Sequence, residues 1–116
     1  GTGLVVDARS PARFFGIERD PRPGVREGHI PGSKNLHYSS LLEGVPTVLK
    51  SAHQLAELFD SVGAGVGSSV VTTCGSGISA CILALALHEL GREPVAVYDG
   101  SWAEWGGRAD CPVAKG

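Results

Sequence analysis

The 116-residue chain has no apolar run as long as a membrane span requires. Its longest, Ile82 to Leu87, falls far short of the roughly 20 residues of a spanning helix. No basic segment precedes the apolar stretch near the N-terminus, so no signal peptide is predicted. The formal net charge of −2 gives no indication of a nucleic-acid or membrane partner. These absences predict a cytoplasmic protein that binds neither nucleic acid nor membrane.

Cysteines are few, and their number and spacing exclude two of their common uses. Three cysteines, an odd number, argue against a disulfide framework and favour a reducing compartment. The sequence contains no CxxC pair and no His/Cys pair at the spacing of zinc ligands. Cys81 lies inside an apolar helical segment and is expected in the core, whereas Cys111 is expected to be incidental. Cys74 is therefore the cysteine that the sequence predicts to be reactive.

The apolar pattern predicts strands that alternate with helices. Short β-branched strands are predicted at Leu4–Ala8, Ser69–Thr73 and Pro94–Tyr98. Helices are predicted over Lys50–Val62 and Ile78–Leu90, and a glycine follows each of them. This alternation implies βαβ units within one domain. The predicted fold is α/β, with a mostly parallel sheet of about five strands and helices on both faces.

Weaker signals predict the shorter elements. Ser10 and the proline after it start a short helix, and Ser101 is a suitable N-cap for another. A turn is predicted at Pro31-Gly32, followed by a short strand around Asn35–His37. The small and polar tail, Arg108–Gly116, is expected to be loosely held.

Cys74 lies where a predicted strand ends and a glycine-rich turn leads into a helix. In open parallel sheets, ligands bind beyond the carboxyl ends of the strands, so this junction is the predicted site. Glycines let backbone amides approach closely, and the positive end of a helix favours an anion. The thiol is therefore predicted to react as a thiolate, and the loop can also hold a persulfide or an oxyanion. Five amides are predicted to form this amide cradle: those of Gly75, Ser76, Gly77, Ile78 and Ser79.

Other uses of a cysteine at this position need residues that the loop lacks. A phosphatase loop of the tyrosine-phosphatase type needs an arginine shortly after the cysteine, and GSGISA contains none. A cysteine protease or amidase needs a histidine base near the thiol. The four histidines, at positions 29, 37, 53 and 88, offer no reason to choose one. His29 is expected to anchor a loop by hydrogen bonds, and His88 is expected to be structural. A buried structural thiol is the remaining alternative.

Three segments resemble the rhodanese (sulfurtransferase) superfamily and together span nearly the whole chain. They are VVDAR (Val5–Arg9), GHIPGSKN (Gly28–Asn35), and the Cys74 loop with the YDGSWAEWG segment that follows it (Tyr98–Gly106). Within the superfamily, CGSGIS is similar to the CGSGVT-type loop of 3-mercaptopyruvate sulfurtransferases. Thiosulfate sulfurtransferases carry a cationic loop of the CRKGVT type instead.

The resemblance implies sulfur transfer with Cys74 as the nucleophile. Its thiolate takes sulfur from a small donor to form a persulfide, which a thiol, cyanide or a thioredoxin-like protein then discharges, with no metal or organic cofactor. Arg13 and Arg22 match by position the two arginines that bind the carboxylate of mercaptopyruvate, and Ser76 is expected to hydrogen-bond the substrate. A neutral loop suits a monoanionic donor whose carboxylate is bound elsewhere, because guanidinium groups bind carboxylates bidentately.

Four further side chains are expected near the site. Asp7 and Asp99 follow predicted strands, and Asp7 is interpreted as a structural anchor. Trp102 and Trp105 either line the pocket or belong to the core.

The resemblance also bears on domain organisation. 3-Mercaptopyruvate sulfurtransferases generally have two rhodanese domains, and the site of the second is completed by the first. Residues 1–116 resemble the second, catalytic domain, so an N-terminal rhodanese domain is expected to be missing and the activity of the isolated chain to be low. The alternatives are a thiosulfate:cyanide sulfurtransferase and a non-catalytic rhodanese binding module. Such modules commonly lack the cysteine that this chain retains.

Overall fold

The computed structural model describes residues 4–44, 47–65, 69–74, 78–92, 95–98 and 101–115. The strands in these ranges are β1 (Leu4–Asp7), β2 (Lys34–Asn35), β3 (Leu42–Glu43), β4 (Val48–Leu49), β5 (Val70–Thr73) and β6 (Val95–Val97). The helices are α1 (Pro11–Phe14), α2 (Ala52–Ser61), α3 (Ile78–Glu89) and α4 (Ser101–Trp105), with a 3-10 helix at Tyr38–Leu41. No helix in the described ranges is long and apolar enough to cross a membrane.

Four strands form the main sheet in the order β2-β1-β5-β6, and each neighbouring pair is parallel. Val6 lies opposite Thr72, which in turn lies opposite Val97, so β-branched side chains lie side by side across three strands. The predicted α/β fold is confirmed. The described part of the main sheet has four strands where about five were predicted. Strands β3 and β4 pair with each other as a separate antiparallel hairpin.

The core lies between the sheet and the two longer helices. Leu83 and Leu87 of α3 are fully buried, as is Phe59 of α2. The hydroxyl of Thr72 in β5 donates to the carbonyl oxygen of Ala80 across 3.0 Å, which joins strand and helix at a buried point. Strand β5 is thereby held against α3 next to the position where Cys74 follows it.

The outward face of α3 corrects one prediction. Cys81 is exposed, although its apolar neighbours predicted a core position. His88 lies on the same face and is exposed as well, and its structural role stays a prediction. Together with Leu85, which is 52% exposed, these residues follow the i, i+4, i+7 spacing of one helix face. The helix is apolar nearly all round, so its hydrophobic pattern does not identify which face is buried.

The C-terminal tail is tied to the domain, which makes the prediction of a loosely held tail wrong. His29 and Ala114 exchange two backbone hydrogen bonds, of 2.8 and 2.9 Å. The Arg26 guanidinium lies among tail carbonyl groups and donates to the oxygens of Trp105, Gly106, Arg108 and Cys111. These contacts join residues about 80 positions apart, and a local reading of a polar segment does not detect them.

The GHIPG segment explains how the tail can approach so closely. Gly28 has a φ of +115°, and a Cβ on it would lie 2.7 Å from Cγ1 of Val113 and nearer still to the carbonyl oxygen of Ala114. Only glycine fits there without a displacement of the tail. The His29 ring stacks on Phe14 at 3.8 Å, and its Nδ1 hydrogen-bonds the Phe14 carbonyl oxygen at 2.7 Å. The predicted anchoring role of His29 is confirmed.

Candidate active site

Cys74 is the first residue after β5, at the carboxyl edge of the main sheet, and is 2% exposed. Its backbone is held on both sides by α4. The Cys74 N–H donates to Oγ of Ser101 across 3.2 Å, and its carbonyl oxygen accepts the Trp102 N–H across 2.7 Å. Strand β5 therefore places Cys74 at the carboxyl edge of the sheet, and the two hydrogen bonds to α4 fix the backbone of Cys74 there.

Ser101 contacts the cysteine sulfur as well as its amide. The hydroxyl is buried, with Oγ 4.0 Å from Sγ of Cys74 and 2.8 Å from the carbonyl oxygen of Tyr98. A hydroxyl has one proton, and the shorter contact indicates that Tyr98 receives it while Oγ accepts the amide of Cys74. Ser101 has a φ of +50°, an uncommon conformation for serine. The sequence predicted Ser101 only as an N-cap; its place in the motif DGSW was the available signal.

Cys74 borders a cavity of about 300 Å³, here called the Cys74 cavity. Three of its wall residues are arginines, and one is an acid, so the wall carries an excess of positive charge. The cavity brings Cys74 together with three other predicted site residues, Arg13, Arg22 and Ser79. Its described wall consists of Arg9, Ser10, Arg13, Glu18, Arg22, His37, Tyr38, Cys74 and Ser79.

Arg13 and Arg22 are each paired with an acidic side chain, and the two acidic side chains differ in burial. Arg13 lies on α1, where the hydroxyl of the N-cap Ser10 faces its amide, and its Nε contacts Glu18 across 3.3 Å. Nη1 of Arg22 contacts the carboxylate of Asp20 at 3.1 and 3.2 Å. The Asp20 side chain is 3% exposed, whereas that of Glu18 is 52% exposed. Arg22 is therefore firmly oriented, while the pair of Arg13 with Glu18 is open to water and weak.

Arg9 belongs to the VVDAR motif and lines the Cys74 cavity, although it was not predicted in the site. Its Nε and Nη2 contact both oxygens of Asp7 at 2.8 to 3.1 Å, and Nη2 also donates to the Gly28 carbonyl oxygen across 2.7 Å. The guanidinium lies 4.7 Å above the Trp102 ring. One buried side chain thus joins the three segments that carry the motifs, and the interpretation of Asp7 as an anchor is confirmed.

Neither tryptophan is among the described residues that line the Cys74 cavity. Trp102 is 1% exposed, and its Nε1 donates to the Arg26 carbonyl oxygen across 2.7 Å. Trp105 donates to the carbonyl oxygen of Pro112 at the same distance. Of the two predicted roles, packing is the one that the geometry supports.

Part of the predicted site falls outside the described residues. Gly75, Ser76 and Gly77 lie there, and so does Asp99. The amide cradle and the substrate contact of Ser76 therefore stay predictions. Of the other cradle residues, Ile78 begins α3 and the half-buried Ser79 lines the Cys74 cavity.

Tyr98 follows β6 at the same edge of the sheet. Partial burial, together with its hydrogen bond to the Glu104 carboxylate and the negative charge of that group, raises the pKa of Tyr98 to about 12. The phenol therefore stays protonated at neutral pH and ties the end of β6 to α4. This bond supports the same junction that Ser101 makes with Cys74.

A parallel sheet with a cysteine at the end of a central strand and a basic cavity beside it defines a class of domain. Residues 1–108 match the family model described as a rhodanese-like domain. The chain belongs to the rhodanese family.

Several curated sulfurtransferases are similar to this chain. It is 44% identical over 108 residues to the mitochondrial thiosulfate/3-mercaptopyruvate sulfurtransferase 1 of Arabidopsis thaliana, with 93% of this chain and 28% of that protein covered. It is 42% identical over 113 residues to the 3-mercaptopyruvate sulfurtransferase of Escherichia coli (strain K12), with 97% of this chain and 39% of that protein covered. The chain thus spans between 28% and 39% of the length of these two relatives.

Solved structures agree with the fold. The crystal structure of Tum1 protein from Saccharomyces cerevisiae has a TM-score of 0.83 at 32% identity, covering 98% of this chain and 40% of that one. The structure of SseA from Escherichia coli, a 3-mercaptopyruvate sulfotransferase by its description, has a TM-score of 0.71 at 34% identity, covering 87% of this chain and 36% of that one. The rhodanese-like architecture is confirmed.

Proposed function

We propose that this chain is the sulfur-transferring domain of a sulfurtransferase and that Cys74 is its nucleophile. The observation that carries the proposal is the shared cavity, in which a buried cysteine at the end of β5 lies beside Arg13 and Arg22. A thiolate takes up sulfur as a persulfide, and fixed positive charge beside it favours both that anion and an anionic donor. The names of the relatives in Arabidopsis thaliana and Escherichia coli support the reaction class.

The preferred donor is 3-mercaptopyruvate. Its carboxylate suits a guanidinium fork, and Arg22 is already oriented for one by the buried carboxylate of Asp20. Arg13 gains the donor carboxylate in exchange for the exposed Glu18. The sulfur end of the donor then lies toward Cys74, with Ser76 as a further hydrogen-bonding group.

Thiosulfate is the second candidate donor. The predicted loop is neutral, but the described cavity wall adds Arg9 to the two predicted arginines, which favours a dianion. The name of the relative in Arabidopsis thaliana includes both donors. A side-by-side comparison of the two donors decides between them.

The persulfide is then discharged to an acceptor: a small thiol, cyanide or a thioredoxin-like protein. The chain needs no metal or organic cofactor in this scheme, because the thiolate itself carries the sulfur. A cytoplasmic location stays a prediction, since one relative is named as mitochondrial.

We further propose that the chain works as the second, catalytic domain of a longer enzyme, because it spans well under half of the relatives' length. A preceding rhodanese domain would then cover the mouth of the Cys74 cavity and supply further contacts. The expected consequence is slow turnover of mercaptopyruvate by the 116-residue chain. Turnover at the rate of a full-length relative would contradict this domain assignment.

Intact mass spectrometry tests the chemistry. After incubation with mercaptopyruvate or thiosulfate, the wild-type chain is expected to gain the mass of one sulfur atom, and a thiol reductant is expected to remove it. Cys74→Ser should gain none. Cys81→Ser and Cys111→Ser are matched controls, because both remove a thiol away from the cavity and should keep the adduct. Sulfur uptake by Cys74→Ser equal to that of the wild type would overturn the assignment.

A further inference from the structure

His37 lines the Cys74 cavity and has no role in the sulfur transfer proposed above. It lies between β2 and the 3-10 helix, is half-buried, and borders the same cavity as Cys74. The backbone around it is fixed, because the Tyr38 N–H donates to the Ala8 carbonyl oxygen across 3.0 Å, just beyond the end of β1. The carbonyl oxygen of His37 also accepts the hydroxyl of Ser40 across 2.6 Å.

The imidazole ring is oriented by its neighbours. Nδ1 of His37 lies 3.1 Å from Oγ of Ser39, and the Tyr38 ring packs edge-on against the imidazole with centroids 5.1 Å apart. A serine hydroxyl both donates and accepts hydrogen bonds, so Ser39 supports either tautomer of the ring. Ser39 therefore occupies Nδ1, which leaves Nε2 as the second ring nitrogen of this cavity residue.

We propose that His37 relays the proton that sulfur transfer from mercaptopyruvate displaces. This inference rests on the proposed function of Cys74. The other proton-bearing groups of the described wall are less suited to the task. A guanidinium group has no acceptor atom, and the Glu18 side chain is 52% exposed, so it turns to water when the donor carboxylate replaces it on Arg13. Imidazole is the side chain that both accepts and releases a proton near neutral pH.

The proton balance of the reaction requires such a group. The Cys74 thiolate forms an S–S bond to the donor sulfur while the C–S bond breaks, and the bonding pair leaves as the enolate of pyruvate. The former S–H proton is at first on the new persulfide. Nε2 of His37 takes that proton and returns it to the enolate carbon, which yields pyruvate and the persulfide anion. Neither proton nor electron is gained or lost overall.

Thiosulfate provides a built-in control because its reaction moves no proton. The Cys74 thiolate forms the same S–S bond, and the S–S bond of the donor breaks to release sulfite with the bonding pair. The two donors therefore yield the same persulfide, but only mercaptopyruvate needs the relay. A residue that merely shapes the cavity affects both donors.

The experiment is a single-turnover measurement of persulfide formation by His37→Ala with each donor. We expect a loss of about 100-fold or more with mercaptopyruvate, within the usual contribution of acid–base catalysis. We expect less than about a twofold change with thiosulfate, and partial recovery of the mercaptopyruvate rate by added imidazole. His53→Ala is the matched control, since His53 lies on the exposed face of α2 beside Glu57 and should leave both rates unchanged.

Several outcomes would overturn the proposal. An equal loss with both donors would make His37 a structural or binding residue, as would a mercaptopyruvate defect that imidazole leaves unchanged. An undiminished rate in His37→Ala would exclude the relay. A wild-type chain that takes sulfur from thiosulfate alone would also overturn it and would leave Cys74 as the nucleophile. If the wild-type chain took up sulfur from neither donor, the proposed function itself would be overturned. The outcomes named before this one overturn only the role of His37.

His37→Gln separates an effect on folding from an effect on proton transfer. It retains a polar side chain of similar reach that can hydrogen-bond Ser39 but cannot relay a proton. We expect it to match the thermal unfolding midpoint of the wild type and to share the mercaptopyruvate defect of His37→Ala. A normal mercaptopyruvate rate in His37→Gln would contradict the relay.

Discussion

The backbone N–H of Cys74 donates a 3.2 Å hydrogen bond to the side chain of Ser101, 27 residues further along the chain. The same hydroxyl contacts the carbonyl oxygen of Tyr98, so it bridges the ends of β5 and β6. A serine side chain thus accepts the amide of the candidate nucleophile. The position of the thiol therefore depends on the first residue of α4.

Ser101→Ala tests this bridge. The substitution removes the Ser101 hydroxyl that accepts the buried amide of Cys74, and a lost hydrogen bond of this kind costs about 1–3 kcal/mol. We expect the free energy of unfolding in urea to fall by that amount and persulfide formation to slow with either donor. Ser61→Ala is the control, because the Ser61 hydroxyl lies on the exposed face of α2. Equal unfolding free energies for the two variants would argue against a bridge that matters for stability.

Glu18→Gln tests the exchange of partners at Arg13. Removal of the carboxylate should let the donor bind Arg13 without displacing a competing charge. An exposed pair contributes up to about 1 kcal/mol, so KM for mercaptopyruvate should fall by about two- to fivefold while kcat changes little.

Glu27→Gln is the matched control for that variant. It changes the net charge equally, but Glu27 pairs with Arg19 and Lys115 and does not line the Cys74 cavity. If both variants lowered KM alike, the effect would come from net charge and not from Arg13.

Gly28→Ala tests the close approach of the tail. Gly28 and Gly32 both have positive φ values, but a Cβ meets the tail backbone only at Gly28 and finds nothing within 4 Å at Gly32. We expect Gly32→Ala to cost about 1 kcal/mol and Gly28→Ala about 3 kcal/mol, because the second adds a steric clash to the backbone strain. Chemical denaturation measures both. Limited proteolysis should also show a more accessible tail in Gly28→Ala alone, and equal effects would contradict the role of the tail contact.

Tyr98 yields a prediction for alkaline pH. Burial and Glu104 raise its pKa from 10.0 to about 12, so the folded state favours the protonated phenol. Its contribution to stability should be complete below pH 10 and should disappear as the pH rises toward 12. A spectroscopic titration of phenolate formation in the wild type and in Tyr98→Phe isolates this group. Glu104→Gln should lower the midpoint but not restore the ordinary value, because burial is the larger cause; an unchanged midpoint would count against the hydrogen bond.

The longer elements could be predicted because their signals are local. Strand β5 was predicted as Ser69–Thr73 and is observed as Val70–Thr73, and α3 differs from its prediction by one residue at its end. β-Branched residues between turn signals specify a buried strand whatever packs against it. The shorter β2, with two residues, is defined by its pairing with β1, and its boundaries were correspondingly less accurate.

The errors lie where burial depends on distant contacts. Cys81 was predicted in the core and is exposed, since an evenly apolar helix does not specify which face packs. The tail was predicted to be loose, and the contacts that hold it come from Arg26 and His29. In each case the deciding partner is far away in the sequence.

By itself, the sequence determined the fold class, the identity of the candidate nucleophile and the arginines beside it. Strand and helix periodicity, a cysteine at a strand end and the family motifs are all local features of the chain. The tertiary structure alone decided which side chains share the Cys74 cavity. It added Arg9, Glu18 and His37 to the predicted residues and assigned Ser101 to the backbone of Cys74. These relationships arise because parallel pairing brings the ends of β1, β5 and β6 to one edge, and no spacing along the chain encodes the distances that result.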